Sequence, residues 1–203
     1  MGIANYLTFT RILISPIFLF IYTEYAYLGI DPTYLPYILL FLLGISELSD
    51  VCDGYFARRY NEVTDLGKIL DPMADSIYRI SLFLTFTLPP IRLPLVLIFI
   101  FLYRDSIIST LRTICALKGF ALAARPSGKL KAAIQAIAAF MVILLLIPYS
   151  LGYLSMETLH LTSTIIVSIA AIYTLFSGVD YIYANRHYIR QLLMTKKDPA
   201  THS

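Results

Sequence analysis

The sequence predicts an all-α integral membrane protein with six transmembrane helices and with both termini in the cytoplasm. The first observation behind this prediction is composition. Of the 203 residues, 58% are hydrophobic and only 14% are charged, and the mean hydropathy is +0.73. Soluble domains carry about 25% charged residues. The other two observations are the number of long apolar segments and the uneven distribution of basic residues between them.

Each apolar segment is long enough to cross a bilayer, which takes about 20 residues. The six predicted spans are residues 7–28, 34–56, 69–88, 93–117, 130–150 and 159–184. They occupy most of the chain, so we expect residues 1–186 to form one membrane domain and residues 187–203 to form a polar cytoplasmic tail. We expect the first span to be retained and not cleaved as a signal peptide, because Arg11 lies inside its apolar pattern.

The basic residues indicate the orientation. The loops near 24–33, 89–92 and 151–158 contain a single Lys or Arg, which is Arg92. The loops near 57–68 and 118–131 contain Arg58, Arg59, Lys68, Lys118, Arg125, Lys129 and Lys131. Basic loops stay on the cytoplasmic side, so the second and fourth loops and both termini are predicted to be cytoplasmic. Because the basic residues follow the topology in this way, they do not indicate nucleic-acid binding.

Residues 50–75 read DVCDGYFARRYNEVTDLGKILDPMAD and place four aspartates between two apolar segments. A carboxylate in the hydrocarbon region costs about 2.5–3.5 kcal/mol on insertion scales. Four such residues therefore require a function, such as an ion pathway, a proton relay or a metal site. Cys52 lies among them, but we interpret it as a small packing residue.

Helical spacing predicts how these carboxylates meet. Asp50 and Asp53 are three residues apart on the second helix, and Asp71 and Asp75 are four apart on the third, so each pair shares a helix face. The short polar turn at residues 60–66 makes the two helices antiparallel neighbours. Four converging carboxylates repel one another unless cations neutralise them, and hard oxygen ligands select Mg²⁺, Mn²⁺ or Ca²⁺. Two such ions can clamp a phosphoryl centre.

The same residues match the pattern D-x2-D-G-x2-A-R-x8-G-x3-D-x3-D at every specified position. In this the chain resembles the CDP-alcohol phosphotransferase family. The resemblance covers the motif and the six-helix layout. It implies a CDP-linked lipid or alcohol as substrate, CMP as leaving group, and a homodimer.

The resemblance also implies roles for individual residues. The residues that match metal ligands are Asp50, Asp53, Asp71 and Asp75. Asp75 matches the residue that in addition removes the proton of the acceptor hydroxyl. The small residues that match positions making room for the cytidine diphosphate group are Gly54, Ala57 and Gly67, and Arg58 matches the arginine of the signature.

Two further segments point to one branch of the family, the phosphatidylglycerophosphate synthases. Asn5 and Thr8 belong to an opening that resembles N-x-L-T-x-x-R, and either donation to a phosphate or helix capping explains them equally well. Residues 70–75 resemble the L-D-P-x-A-D form of that branch. Ser76 departs from it, since those enzymes often carry Lys there.

A basic cluster bears on the acceptor. Lys129 and Lys131 form a G-K-x-K step at the start of the fifth helix, and Arg112 lies on the fourth. A buried arginine needs a partner. Arg112 either pairs with a motif carboxylate or, with the two lysines, binds the phosphate of a phosphorylated acceptor, and we favour the second.

Other charged neighbours have simpler interpretations. Arg79 is four residues from Asp75, so the two are expected to form a helix ion pair. Arg104 is adjacent to Asp105, but neighbouring residues on a helix do not face each other, so the sequence leaves the partners of both residues open.

Together with the predicted topology, the resemblance implies an Mg²⁺- or Mn²⁺-dependent CDP-diacylglycerol–glycerol-3-phosphate 3-phosphatidyltransferase in a bacterial inner or plasma membrane, with its active site facing the cytoplasm. Alternatives are the same reaction with inositol phosphate, phosphatidylglycerol or serine as acceptor. A different class, a divalent-cation transporter, also needs clustered aspartates. The sequence shows no internal repeat, however, and the carboxylates lie at one membrane face.

Overall fold

The computed structural model describes residues 3–59, 65–117 and 125–194, with side chains for residues 10–49, 52, 73–115 and 125–190. The described residues form α-helices and contain no strand. The helices are α1 (Ile3–Glu24), α2 (Leu35–Arg59), α3 (Asp65–Thr85), α4 (Leu95–Leu117), α5 (Pro126–Ser150), α6 (Met156–Ala184) and α7 (Arg186–Met194).

Each of the six predicted segments contains a helix, so the all-helical prediction is confirmed. Among the described residues, α5 and α6 are long and apolar enough to cross a membrane, and the first part of α2, Leu35–Ser49, is a shorter apolar helix. Large apolar side chains such as Phe41, Ile172 and Val179 are exposed on the outside of the bundle. An exposed apolar surface of this kind suits contact with lipid.

The last described element, α7, was not predicted. All but its first residue lie within the segment expected to be a polar tail, and a single residue separates it from the end of α6. Asn185 occupies the junction, where its side-chain amide donates to the carbonyl of Tyr181 at 2.9 Å and caps α6. A short amphipathic helix does not form an apolar segment long enough to be predicted as a membrane span, which explains why the apolar pattern did not reveal α7.

The helices form an up-and-down bundle. α1 packs against α2 and α3, α5 packs against α2 and α6, and α4 packs against α3 and α6. An aromatic cluster fills one end of the core, where the rings of Phe83 and Phe101 lie 4.8 Å apart and Phe86 meets Phe18 edge to face. This geometry is favourable for aromatic pairs. The cluster joins α1, α3 and α4.

The opposite end of the bundle is polar. It contains the carboxyl ends of α2, α4 and α6 and the amino ends of α3 and α5. The buried polar and charged residues at that end include Arg79, Asp105, Lys131 and Ser177. Buried charges are expensive unless they are paired, so this end is where the fold holds a site.

Candidate active site

The aspartate motif lies on two helices at the polar end. α2 extends to Arg59 and therefore includes Asp50 and Asp53, and α3 begins at Asp65 and includes Asp71 and Asp75. The helix starts within the turn predicted at residues 60–66, so Gly67 lies inside the first turn of α3. The chain between the helices, residues 60–64, lies outside the described residues.

Asp75 is the motif carboxylate whose side chain is described. The predicted site residues whose side chains lie outside the described part are Asn5, Thr8, Asp50, Asp53, Gly54, Ala57, Arg58, Gly67 and Asp71. The convergence of the four aspartates and the cytidine-diphosphate contacts therefore stay predictions. Among the described side chains, no group of three or more His, Cys, Asp or Glu residues is arranged to hold a metal.

The Asp75 carboxylate is 31% exposed and is held by Arg79. The guanidinium Nε of Arg79 donates to Oδ1 of Asp75 at 2.7 Å, which confirms the predicted ion pair between the two residues. Within the described part of the chain, Oδ2 of Asp75 accepts no hydrogen bond. A carboxylate oxygen on a partly exposed side chain is a hard ligand that suits Mg²⁺ or Mn²⁺, so the described portion of the site fits the metal that the motif implies.

Asp105 is the centre of a second, buried charge cluster next to Asp75. Lys131 Nζ donates to both of its carboxylate oxygens at 2.9 Å, and Arg104 Nη1 donates to Oδ1 at 2.9 Å. The hydroxyl of Ser76, the residue that follows Asp75, donates to Oδ2 at 3.4 Å. Asp105 thus connects α3, α4 and α5 and gives Lys131 and Arg104 a shared counter-ion.

The pairing of Arg104 with Asp105 supplies the partners that the sequence left open. Residues adjacent on a helix do not face each other through short side chains, but the arginine is long enough to fold back over its neighbour. Arg104 Nη2 also donates to the Ser177 hydroxyl on α6 at 2.8 Å. Gly178 makes room for this path, because a Cβ at that position would lie 3.1 Å from Cγ of Arg104.

The three residues predicted to bind an acceptor phosphate occupy different environments. Lys129 is exposed at the start of α5, Lys131 is buried against Asp105, and Arg112 is half-buried. The Nε of Arg112 donates to the hydroxyl of Tyr181 at 3.1 Å, and its guanidinium lies over the Tyr181 ring, 5.2 Å from the centroid. The described partner of Arg112 is therefore a tyrosine on α6.

A further ion pair fixes the start of α5 to the end of α6. Arg125 donates through Nε and Nη2 to the two carboxylate oxygens of Asp180, at 3.3 and 2.9 Å, and the Ser127 hydroxyl donates to the same carboxylate. The hydrogen bonds from Arg125 to Asp180, and the negative charge of that carboxylate, raise the pKa of the Arg125 guanidinium above its ordinary value. A bidentate pair of this kind also fixes the relative orientation of the two side chains. The first turn of α5, which carries Lys129, is therefore held in place.

Sequence reasoning missed three partners of basic residues: Asp105 for Lys131, Tyr181 for Arg112 and Asp180 for Arg125. Each lies on a helix remote in sequence from the basic residue it contacts. The one available signal was chemical: every buried cation at the polar end needed an acceptor.

The chain was compared with known proteins. The family model for CDP-alcohol phosphatidyltransferases matches residues 1–176. The chain belongs to the CDP-alcohol phosphatidyltransferase family. It is therefore an enzyme of the transferase class, and the resemblance carried by the aspartate motif is confirmed.

Individual members of the CDP-alcohol phosphatidyltransferase family resemble this chain along nearly its whole length. The CDP-diacylglycerol–glycerol-3-phosphate 3-phosphatidyltransferase of Bacillus subtilis is 30% identical over 193 residues, which cover 91% of this chain and 95% of the relative. The protein of the same name from Rickettsia typhi is 31% identical over 189 residues, covering 92% and 98%. A CMP-forming cardiolipin synthase of Streptomyces coelicolor is 41% identical over a shorter stretch of 69 residues, 34% of this chain.

Proposed function

We propose that this enzyme is a CDP-diacylglycerol–glycerol-3-phosphate 3-phosphatidyltransferase, which forms phosphatidylglycerol phosphate and CMP. The observation that carries the proposal is the position of Asp75. Its carboxylate is half-exposed, and Ser76 beside it bonds to a cluster in which Arg104 and Lys131 share the single carboxylate of Asp105. A general base next to excess positive charge suits an acceptor that carries both a hydroxyl and a phosphate. The names of the long-matching relatives support the same reaction.

The proposed reaction is a single displacement at phosphorus. Asp75 accepts the proton of the acceptor hydroxyl, for which a general base must come within hydrogen-bond reach. The acceptor oxygen forms a bond to the phosphorus that bears the diacylglycerol, and the bond from that phosphorus to the CMP oxygen breaks. Asp75 then gives the proton up to solvent through the exposed side of the carboxylate.

Two divalent ions, either Mg²⁺ or Mn²⁺, would be held by the four aspartates of the motif, which are Asp50, Asp53, Asp71 and Asp75. When bound, such ions neutralise the diphosphate and stabilise the departing phosphate oxygen. The small residues Gly54, Ala57 and Gly67 would make room for the cytidine diphosphate group, and Arg58 would neutralise phosphate charge as a planar fork. Asn5 and Thr8 would donate to a phosphate from α1.

The acceptor phosphate would bind at the basic cluster. Lys129 is exposed and can reach a soluble acceptor. Lys131 is buried and paired with Asp105, so it would act on the acceptor phosphate through its charge and not by direct contact. Arg112 would approach from α4, oriented by the Tyr181 hydroxyl. Charges in a partly buried site act more strongly than charges on an open surface, so this cluster would favour a dianionic acceptor over serine.

The proposal includes the topology. Six spans, cytoplasmic termini and a location in a bacterial inner or plasma membrane place the aspartates on the side where CDP-diacylglycerol is used with soluble phosphates. The exposed apolar sides of the helices would contact lipid, and two copies would form a homodimer.

The test is CMP release by the purified protein in liposomes containing CDP-diacylglycerol and Mg²⁺ or Mn²⁺. Glycerol 3-phosphate, inositol phosphate, serine and phosphatidylglycerol are supplied in separate reactions. Release that requires glycerol 3-phosphate supports the proposal. Release that requires a different acceptor would support the proposed mechanism but contradict the assignment of glycerol 3-phosphate. A flux of divalent ions without CMP release would favour a transporter.

A further inference from the structure

Arg79 is a buried charged residue of α3, and several contacts hold its side chain in place. Its side chain is 8% exposed, and it contacts three helices at once. Nε donates to Asp75 Oδ1 at 2.7 Å on its own helix. Nη1 donates to the backbone carbonyl of Ala132 on α5 at 3.1 Å and lies 3.5 Å from Oε1 of Glu47 on α2. The guanidinium therefore has a fixed position between helices.

Different nitrogens of the Arg79 guanidinium contact different helices. Nη1 faces α2 and α5, whereas Nε faces the carboxylate of Asp75. Because a guanidinium is planar and rigid, fixing Nη1 also fixes the direction in which Nε points. Oδ1 of Asp75 is thereby held, whereas within the described part of the chain Oδ2 accepts no hydrogen bond.

We propose that Arg79 is a positioning residue: it transmits the packing of α2 and α5 to the Asp75 carboxylate and sets which oxygen faces the reacting groups. The inference rests on the proposed role of Asp75 as base and metal ligand. Arg79 itself need not touch a substrate. Its contribution is to hold Oδ1 so that Oδ2 stays aimed at the metal and the acceptor hydroxyl.

A simple ion pair would place different demands on position 79. If Arg79 only neutralised Asp75, any cation of similar reach would serve, and lysine would replace it. Lysine has a single terminal nitrogen on a flexible stem. It cannot donate to Asp75 while also holding Ala132 and Glu47 through a rigid fork. Arg79→Lys therefore keeps the charge and removes the positioning.

The experiment measures kcat, KM and Mn²⁺ affinity for the wild-type protein, Arg79→Lys and Glu47→Gln, in nanodiscs. We expect Arg79→Lys to lower kcat about 10- to 100-fold, since displacements of about 1 Å can cost that much, with KM for both substrates unchanged. Mn²⁺ binding, followed by electron paramagnetic resonance without substrate, should weaken about 10-fold, as is usual when a ligand loses its orienting partner. Glu47→Gln should change both quantities in the same direction but less.

Arg92→Lys is the matched control, because Arg92 is exposed beyond the far end of α3. It should match the wild type. A folded Arg79→Lys protein with wild-type kcat and wild-type Mn²⁺ affinity would overturn the positioning role. Equal loss of kcat and rise of KM together with a lowered melting temperature would also overturn it, by indicating a general packing defect. Absence of CMP release by the wild type would refute the proposed function, whereas the Mn²⁺ titration would still report on Arg79 and Asp75.

Discussion

The ammonium group of Lys131 lies 2.9 Å from both carboxylate oxygens of Asp105, and the two side chains are buried between α4 and α5. This pair is the electrostatic centre of the polar end of the bundle, because Asp105 is also bonded to Arg104. Lys131 is one of three residues that the sequence alone assigned to the acceptor phosphate. The structure adds that the charge of Lys131 is already paired with the carboxylate of Asp105.

Removing Asp105 should destabilise the protein strongly. Asp105→Asn would leave Lys131 and Arg104 without their common counter-ion, and breaking a buried pair by removing one partner typically costs about 3–5 kcal/mol. We expect a large loss of stability in reversible denaturation in mixed micelles. The double variant Asp105→Asn with Lys131→Met should recover part of this loss, because the buried charge disappears. A double variant no more stable than Asp105→Asn alone would contradict the pairing.

Substitution by alanine should destabilise the protein at Gly178 but not at Gly44. A Cβ at Gly178 would lie 3.1 Å from Cγ of Arg104, whose two ends are bonded to Asp105 and Ser177, so Gly178→Ala should lower the melting temperature. Gly44→Ala is the matched control: it lies in α2, and no atom comes within 4 Å of a Cβ there. That change should be neutral or stabilising by up to about 1 kcal/mol. Equal melting temperatures for the two variants would count against the tight contact.

Lys129 and Lys131 should give opposite phenotypes. Lys129 is exposed, so Lys129→Gln should raise KM for glycerol 3-phosphate about 10-fold, in line with a charge-assisted hydrogen bond, and leave the melting temperature unchanged. Lys131→Gln should lower the melting temperature, because Asp105 loses a buried partner. Initial rates at varied acceptor concentration, together with thermal denaturation, separate the two effects. A wild-type KM in Lys129→Gln would remove that residue from the acceptor site.

Asp75→Asn should abolish most of the activity while the protein stays folded. An amide cannot accept the proton of the acceptor hydroxyl, and general-base catalysis contributes about 10²–10⁴-fold. CMP release from CDP-diacylglycerol is the measurement. Asp31→Asn is the control, since Asp31 is an exposed loop aspartate whose Oδ1 accepts the Thr33 backbone N–H at 2.8 Å, and it should retain wild-type activity. Substantial turnover in Asp75→Asn would exclude Asp75 as the base.

Much of the fold could be predicted because its main determinant is a one-dimensional pattern. Long apolar runs predicted six helices, and each is present. α7 escaped the prediction because an amphipathic helix of nine residues is too short to appear as a membrane span. α3 begins at Asp65, inside the turn predicted at residues 60–66. Helix ends depend on capping and packing more than on the apolar pattern, which makes them hard to predict from sequence.

The sequence by itself determined the family, the all-helical class and the identity of the candidate metal and base residues, because these depend on spacing along a single helix or a helix pair. Apart from the i,i+4 pair of Arg79 with Asp75, tertiary structure alone decided which charges neutralise one another. Asp105 with Lys131, Arg125 with Asp180 and Arg79 with Glu47 join residues on different helices. Their partners depend on helix rotation and relative height, which packing sets and local spacing does not encode.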